Sequence, residues 1–148
     1  MYAIFLCFIH YSGIPFFGYV GLWTGVKYDA FSLSGNERHV GSIVDNIYAI
    51  HDDYWPSGWL MRDVLANSTS FHDALITLND TKIMASVYYI LGGTHYPDGA
   101  VITRDQETSY DLWLLNGTNN YLKWYEVETN DDWWGPPTDK RRQDAINY

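Results

Sequence analysis

The chain has 148 residues, enough for one domain, and its 47% content of apolar residues is enough to build a core. Eighteen acidic against nine basic side chains give a formal net charge of -9, which repels a phosphate backbone and excludes nucleic acid as a partner. A single cysteine, Cys7, excludes an internal disulfide framework.

The N-terminal part of the chain predicts two strands after an unmatched apolar segment. Residues 1–15 are apolar but lack the basic residues that begin a signal peptide, so we separate them from a domain that spans residues 16–148. Residues 16–27 are rich in Gly, Tyr, Val and Trp, and residues 31–33 follow after a short turn. These two stretches predict a buried pair of strands.

Three helices are predicted next, each with a serine at its start. Ser42 begins the first, Ser57 begins the second after Pro56, and Ser70 begins a third that ends near Asn79. The apolar positions of the first helix recur at helical spacing: Ile43, Ile47 and Ile50.

The C-terminal half predicts strands again. Residues 83–91 form an almost continuous apolar run, which is typical of a central strand covered on both faces. Three further strands are predicted, at residues 100–103, 110–115 and 121–127. Strands, then helices, then strands favour an α+β layered domain over a doubly wound parallel sheet.

The familiar motifs of metal, nucleotide and serine chemistry are absent from the sequence. The five histidines have no zinc-type spacing, Gly92-Gly93 lacks the continuation of a phosphate-binding loop, and there is no G-x-S-x-G elbow. We therefore predict no metal and no cofactor. Considered alone, Glu37 at a strand end and the Arg141-Arg142 pair are typical of solvated surface charge.

Three asparagines stand in N-glycosylation sequons within polar, turn-like stretches: Asn67, Asn79 and Asn116. Three such sequons in a short chain favour the secretory pathway.

Five blocks in order carry a resemblance to a known family. They are residues 18–25 (GYVGLWTG), 34–38 (SGNER), 87–94 (VYYILGGT), 101–104 (VITR) and 127–130 (VETN). In order and approximate spacing the chain resembles the N-acylethanolamine-hydrolysing acid amidase and acid ceramidase family, from about residue 16 to its end. These proteins are N-terminal-nucleophile cysteine hydrolases, and the chain resembles a fragment of the large subunit.

The resemblance implies a fold and a set of site residues. The fold is a partial αββα sandwich of the N-terminal-nucleophile hydrolase type, lacking its first and last strands. Asn130 matches an asparagine whose amide stabilises the developing oxyanion. Glu37 matches an active-site glutamate, and Arg141 matches an arginine of the same network, with Arg142 as the alternative register. The resemblance implies that the buried carboxylate and guanidinium hold each other charged and fix the geometry of the pocket.

The family's nucleophile has no match in this sequence. In the family, a cysteine freed by self-cleavage precedes the first block by tens of residues and is followed by an arginine and an aspartate. Cys7 is too close to Gly18 and is followed by Phe8-Ile9-His10, so we interpret it as a buried thiol. We expect the small subunit and the N-terminal part of the large subunit to be missing here, and the isolated chain to be inactive.

The resemblance leaves three functions open for a protein of the lysosome or secretory pathway. The first is an amidase that cuts N-acylethanolamines into fatty acid and ethanolamine, and the second is acid ceramidase activity on N-acylsphingosine. The third is a non-catalytic lipid-binding or regulatory fragment. The aromatic residues Trp55 and Trp59 also predict peripheral membrane contact, with core packing as the alternative.

Overall fold

A computed structural model describes residues 10–115, 125–136 and 140–147. Six strands form one antiparallel sheet whose order follows the chain: β1 (Tyr11–Gly13), β2 (Thr24–Lys27), β3 (Phe31–Glu37), β4 (Val87–Gly93), β5 (Gly99–Arg104) and β6 (Ser109–Leu114). The helices are α1 (Ile43–His51), α2 (Ser57–Asn67), α3 (Phe71–Asp80) and α4 (Lys140–Asn147). The predicted α+β class is confirmed.

The predicted starts of α1 and α3 are confirmed by their serine caps, and α2 begins at Ser57 as predicted but without a serine at its N-cap. At α1 the Ser42 hydroxyl accepts from the Asp45 amide at 3.2 Å, and the Asp45 carboxylate accepts from the Ser42 amide at 3.2 Å. This reciprocal capping box satisfies two N–H groups that the helix itself leaves unpaired. At α3 the Ser70 hydroxyl accepts from the Asp73 amide at 3.2 Å. Pro56 precedes α2 without a side-chain cap.

The core lies between one face of the sheet and two helices. Helix α2 packs on β2 and β3, and α3 packs on β4 and β5. The largest side chains of this core are less than 2% exposed. Burial of each apolar one contributes about 1.5–3 kcal/mol to stability. Gly35 permits close packing of α2, because a Cβ there would lie 3.0 Å from the Met61 Sδ atom and 2.9 Å from the Trp23 ring.

Helix α1 forms as predicted, but its apolar residues do not enter the core. Ile43, Ile47 and Ile50 are 78%, 59% and 56% exposed, and Ala49 is the buried residue of this helix. Helical periodicity therefore identified the helix correctly without identifying what covers it. Within the described ranges, no helix combines the length and the apolar character needed to cross a membrane.

Three strand predictions need correction. Residues 16–23 are not a strand, since Phe17 is fully exposed and Gly18 has a φ of 78°, which is in the left-handed region. Strand β4 begins at Val87, whereas Ile83 forms an isolated bridge with Trp55. Residues 125–127 have no strand structure, and residues 121–124 lie outside the described residues.

Strand β1 comes from residues 1–15, the unmatched apolar segment. Tyr11 and Gly13 pair with Lys27 and Gly25 of β2, which places this part of residues 1–15 at the edge of the sheet. The division into residues 1–15 and 16–148 stays a prediction.

The second face of the sheet is crossed by residues 125–136. Tyr88 and Thr103 are neighbours on this face and are each 2% exposed. Asp132 and Trp133, from the crossing segment, contact Tyr88 and Trp113 respectively. The described residues thus form one helix layer, one sheet and a covering segment. A second sheet, as in a complete αββα sandwich, is not formed within the ranges described.

Candidate functional site

The predicted residues Glu37, Asn130 and Arg141 meet at the end of β3. Asn130 Nδ2 donates to the Glu37 backbone carbonyl at 2.9 Å, and Arg141 Nη2 donates to Asn130 Oδ1 at 3.1 Å. Glu37 ends a strand 93 residues before Asn130 of the covering segment, and Arg141 of α4 follows Asn130 by 11 residues. The fold therefore brings together three residues that the sequence could associate only through the resemblance.

The orientation of the Asn130 amide follows from its partners. Arginine can only donate and a backbone carbonyl can only accept, so Oδ1 must face Arg141 and Nδ2 must face Glu37. An asparagine amide carries two N–H groups, and one of them is used by the Glu37 carbonyl. The other has no acceptor within the described residues and is available to a ligand oxygen.

Glu37 takes part through its backbone and not through a buried carboxylate. Its side chain is 74% exposed and lies 3.6 Å from His39 Nδ1. The resemblance implied a buried carboxylate–guanidinium pair between Glu37 and Arg141. In this structure hydrogen bonds link Glu37 and Arg141 through Asn130.

A second polar cluster next to Asn130 was missed by sequence reasoning. Arg38 donates to both oxygens of Asp132, and the Tyr88 hydroxyl donates to Asp132 at 2.6 Å. Asp105 accepts from the remaining side of the same guanidinium. Arg38 and Asp132 lie 94 residues apart in sequence, so no local pattern could pair them.

The charges of this cluster reinforce one another. Hydrogen bonds from Arg38 and then from Tyr88 lower the pKa of the Asp132 carboxyl, although burial opposes this effect. Burial, followed by the hydrogen bond to Asp132, raises the pKa of Tyr88. These shifts favour the ionised form of Asp132 and the protonated form of Tyr88.

Four aromatic rings hold the chain that follows Asp132. Tyr110 stacks on Trp134 with centroids 5.2 Å apart, and Trp113 packs on Trp133 at 5.6 Å. The Trp133 indole donates to Asp111 at 2.7 Å, which gives the ring a partner for its polar edge. These contacts fix the turn after Asn130 on β6.

An apolar cavity of about 340 Å³ lies between the covering segment and strands β4 and β5. Ile90, Val101 and Leu115 line it, with Glu126 and Glu128 at its polar side. Burial raises the pKa of Glu128 to about 8, and the positive charge of Arg142 opposes that shift. Below that pH the carboxyl is neutral, so Glu128 then adds no charge to the apolar lining.

The sequon asparagines occupy different environments. Asn67 is exposed at the end of α2 and its amide donates to Asp63 at 2.8 Å, while Asn79 is half-buried at the end of α3. Asn116 lies outside the described residues, as does Cys7. The described parts of the chain hold no group of three or more His, Cys, Asp or Glu side chains that could bind a metal.

Comparison with known proteins finds relatives of one kind, acid amidases and acid ceramidases. No model of a known protein family matches the chain. The mouse N-acylethanolamine-hydrolyzing acid amidase is 45% identical over 141 residues, which cover 93% of this chain and 38% of the mouse protein. Human acid ceramidase is 44% identical over 143 residues, which cover 91% of this chain and 35% of the human protein.

A solved structure agrees with these relatives. The Caenorhabditis elegans N-acylethanolamine-hydrolyzing acid amidase ortholog superposes with a TM-score of 0.79 at 31% identity, covering 98% of this chain and 62% of that chain. The chain belongs to the N-acylethanolamine-hydrolysing acid amidase and acid ceramidase family. The predicted family and fold class are confirmed, and the chain spans less than two-fifths of the length of the curated relatives it matches.

Proposed function

We propose that the complete gene product is an amide hydrolase that acts on fatty-acyl amides, with N-acylethanolamines as substrates and fatty acid and ethanolamine as products. The observation that carries the proposal is the Asn130 amide, which Arg141 and Glu37 hold in one orientation with one N–H available. The similarity to the mouse acid amidase and to the Caenorhabditis elegans ortholog supports the choice of substrate.

In the proposed mechanism Asn130 stabilises charge and does not attack. A cysteine thiolate from outside the described residues attacks the amide carbonyl, and its own α-amino group, with a free pKa near 7.7–8.0, moves the proton. The Asn130 N–H donates to the oxyanion that develops, an effect typically of about 3 kcal/mol. Water then hydrolyses the acyl-enzyme.

The apolar cavity beside Glu128 supports an acyl substrate. Its volume of about 340 Å³ is within the usual range of ligand pockets, and its lining is mostly apolar. We propose that it holds part of the acyl chain, with Glu128 protonated in an acidic compartment. A lysosomal or secretory location fits this proposal and the three sequons.

Acid ceramidase activity is the second candidate, because human acid ceramidase is nearly as similar as the mouse amidase. Purified gene product should hydrolyse N-palmitoylethanolamine faster than N-palmitoylsphingosine. Hydrolysis of the sphingosine amide alone would reverse the choice between the two substrates.

The Asn130→Ala variant tests the role of the amide. We expect it to lower kcat by about 10²–10³-fold with a similar fold and KM, because it removes one oxyanion donor. Asn147→Ala is the matched control, since Asn147 is an exposed asparagine at the end of α4 and lies outside the three sequons. Equal activity of Asn130→Ala and wild type would contradict the proposal.

A non-catalytic lipid-binding or regulatory fragment is the alternative from another class. The cavity supports lipid binding, and the outer strands β1 and β6 each pair with a single neighbour within the described residues. If the 148-residue chain is the whole product, it should bind fatty amides or associate with an intact relative without hydrolysing the amide. Binding of neither partner would leave this alternative without support.

A further inference from the structure

Asp132 is the most strongly bound carboxylate next to the candidate site. Arg38 Nε donates to its Oδ1 at 2.8 Å and Arg38 Nη2 donates to its Oδ2 at 2.9 Å, which is a bidentate pair. Tyr88 adds a third hydrogen bond at 2.6 Å. The Arg38 side chain is 4% exposed and that of Asp132 is 24% exposed, so water competes weakly for these bonds.

The pair joins the same two chain segments that carry Glu37 and Asn130. Arg38 directly follows Glu37, and Asp132 lies two residues after Asn130. The Glu37–Asn130 hydrogen bond of 2.9 Å and the Arg38–Asp132 pair are therefore neighbouring ties between the end of β3 and the covering segment. Movement of Asp132 would shift Asn130 with it.

A buried side chain of the sheet holds the Asp132 end of the Arg38–Asp132 pair. Tyr88 lies in β4, between Asn36 of β3 and Thr103 of β5, and its side chain is buried. Asp105 also accepts from Arg38, on the side away from Asp132, but its side chain is 42% exposed, so water competes for this contact and it holds the guanidinium less firmly.

We propose that Arg38 and Asp132, with Tyr88, form a positioning clamp that sets where the free N–H of Asn130 points. The clamp does not touch the substrate. The proposal rests on the proposed function, because it gives Asn130 the role of oxyanion donor. A displacement of about 1 Å in such a donor can cost up to about 100-fold in rate.

Kinetics on the complete gene product provide the first test, with N-palmitoylethanolamine as the substrate. Asp132→Asn should lower kcat by about 10- to 100-fold while KM changes little, because the position of the donor is disturbed and the acyl pocket is not. Tyr88→Phe removes one hydrogen bond to Asp132 and should lower kcat by up to about 10-fold. Asp105→Asn is the matched control, since it also removes a carboxylate from Arg38, and its kcat should stay within about threefold of wild type.

A spectroscopic readout on the same protein separates positioning from stability. In protein labelled with ¹⁵N-asparagine, the side-chain amide signal of Asn130 is assigned by its loss in Asn130→Ala. Asp132→Asn and Tyr88→Phe should shift this signal and reduce its order, and Asp105→Asn should leave it in place. If Asp132→Asn does not fold, Tyr88→Phe decides by the same two readouts.

The outcomes distinguish the clamp from the proposed function. An unchanged Asn130 signal in both clamp variants, or equal losses of kcat in Asp132→Asn and Asp105→Asn, overturns the clamp. Wild-type protein that hydrolyses no fatty amide contradicts the proposed function instead, and the amide signal then decides alone whether Asp132 positions Asn130.

Discussion

Replacement of Arg104 by methionine should destabilise the chain through the end of α3. This guanidinium is fully buried and donates to the carbonyls of Leu78, Asn79 and Thr81, which the helix leaves without partners. The contact to Leu78 is buried, and a buried carbonyl that loses its partner costs about 1–3 kcal/mol. Water can reach the other two, so their loss contributes less.

The opposing effect is relief of a buried charge. Burial lowers the pKa of Arg104, and its Nε has no hydrogen-bond partner, so the buried charge is itself unfavourable. Removal of this charge therefore offsets part of the stability lost with the hydrogen bonds. We expect a net loss of about 2–3 kcal/mol in the free energy of unfolding.

Urea unfolding followed by tryptophan fluorescence measures this loss. Arg62→Met is the control, because exposed Arg62 donates to the Val20 carbonyl and its loss should cost within about 0.5 kcal/mol. Equal stability of the two variants would refute the reasoning.

Three further predictions concern pH, modification and membranes. Because the pKa of Glu128 rises from 4.5 to about 8 on folding, the folded chain binds this proton more tightly, so its contribution to stability is full below pH 4.5 and is lost as pH rises through 8. Glu128→Gln should reduce the change in the free energy of unfolding between these two pH values, measured by urea unfolding. An unchanged pH dependence would show that other groups cause it. When the chain is expressed through the secretory pathway, Asn→Gln at Asn67, Asn79 or Asn116 should each remove one glycan, seen as a loss of mass on gels; an unshifted band identifies an unused sequon. Trp55→Ser with Trp59→Ser should reduce liposome binding in sedimentation without loss of fold, because these rings are 42% and 47% exposed; unchanged binding would favour a packing role.

Local chemistry made the helices predictable. Ser42 and Ser70 begin α1 and α3 as the capping pattern indicated, because a cap is a contact within four residues. Strand β4 was predicted as central, and it pairs with β3 and β5 on its two sides. The predictions failed where an apolar run does not pack against another element. Phe17 is fully exposed, and periodicity cannot say which apolar residues find a partner.

The site was predictable only in part. Glu37, Asn130 and Arg141 were selected through the resemblance, and the structure brings them together, although their chemical roles stay predictions. No local signal pairs Arg38 with Asp132. Arg38 was visible as part of a polar strand end, but its partner lies 94 residues away, and such pairs depend on the closed fold.

The pairing of β3 with β4 controls how the site forms and how it is lost. All of α1, α2 and α3 lie between these two strands, whereas β4, β5 and β6 follow one another through shorter connections. Closing the β3–β4 join costs the most chain entropy, and it must precede the docking of Asp132 on Arg38 and Tyr88. The β1–β2–β3 and β4–β5–β6 units can each persist when the pairing between β3 and β4 is lost. Amide exchange at Val87, opposite Glu37, would therefore report loss of the site before loss of the sheet.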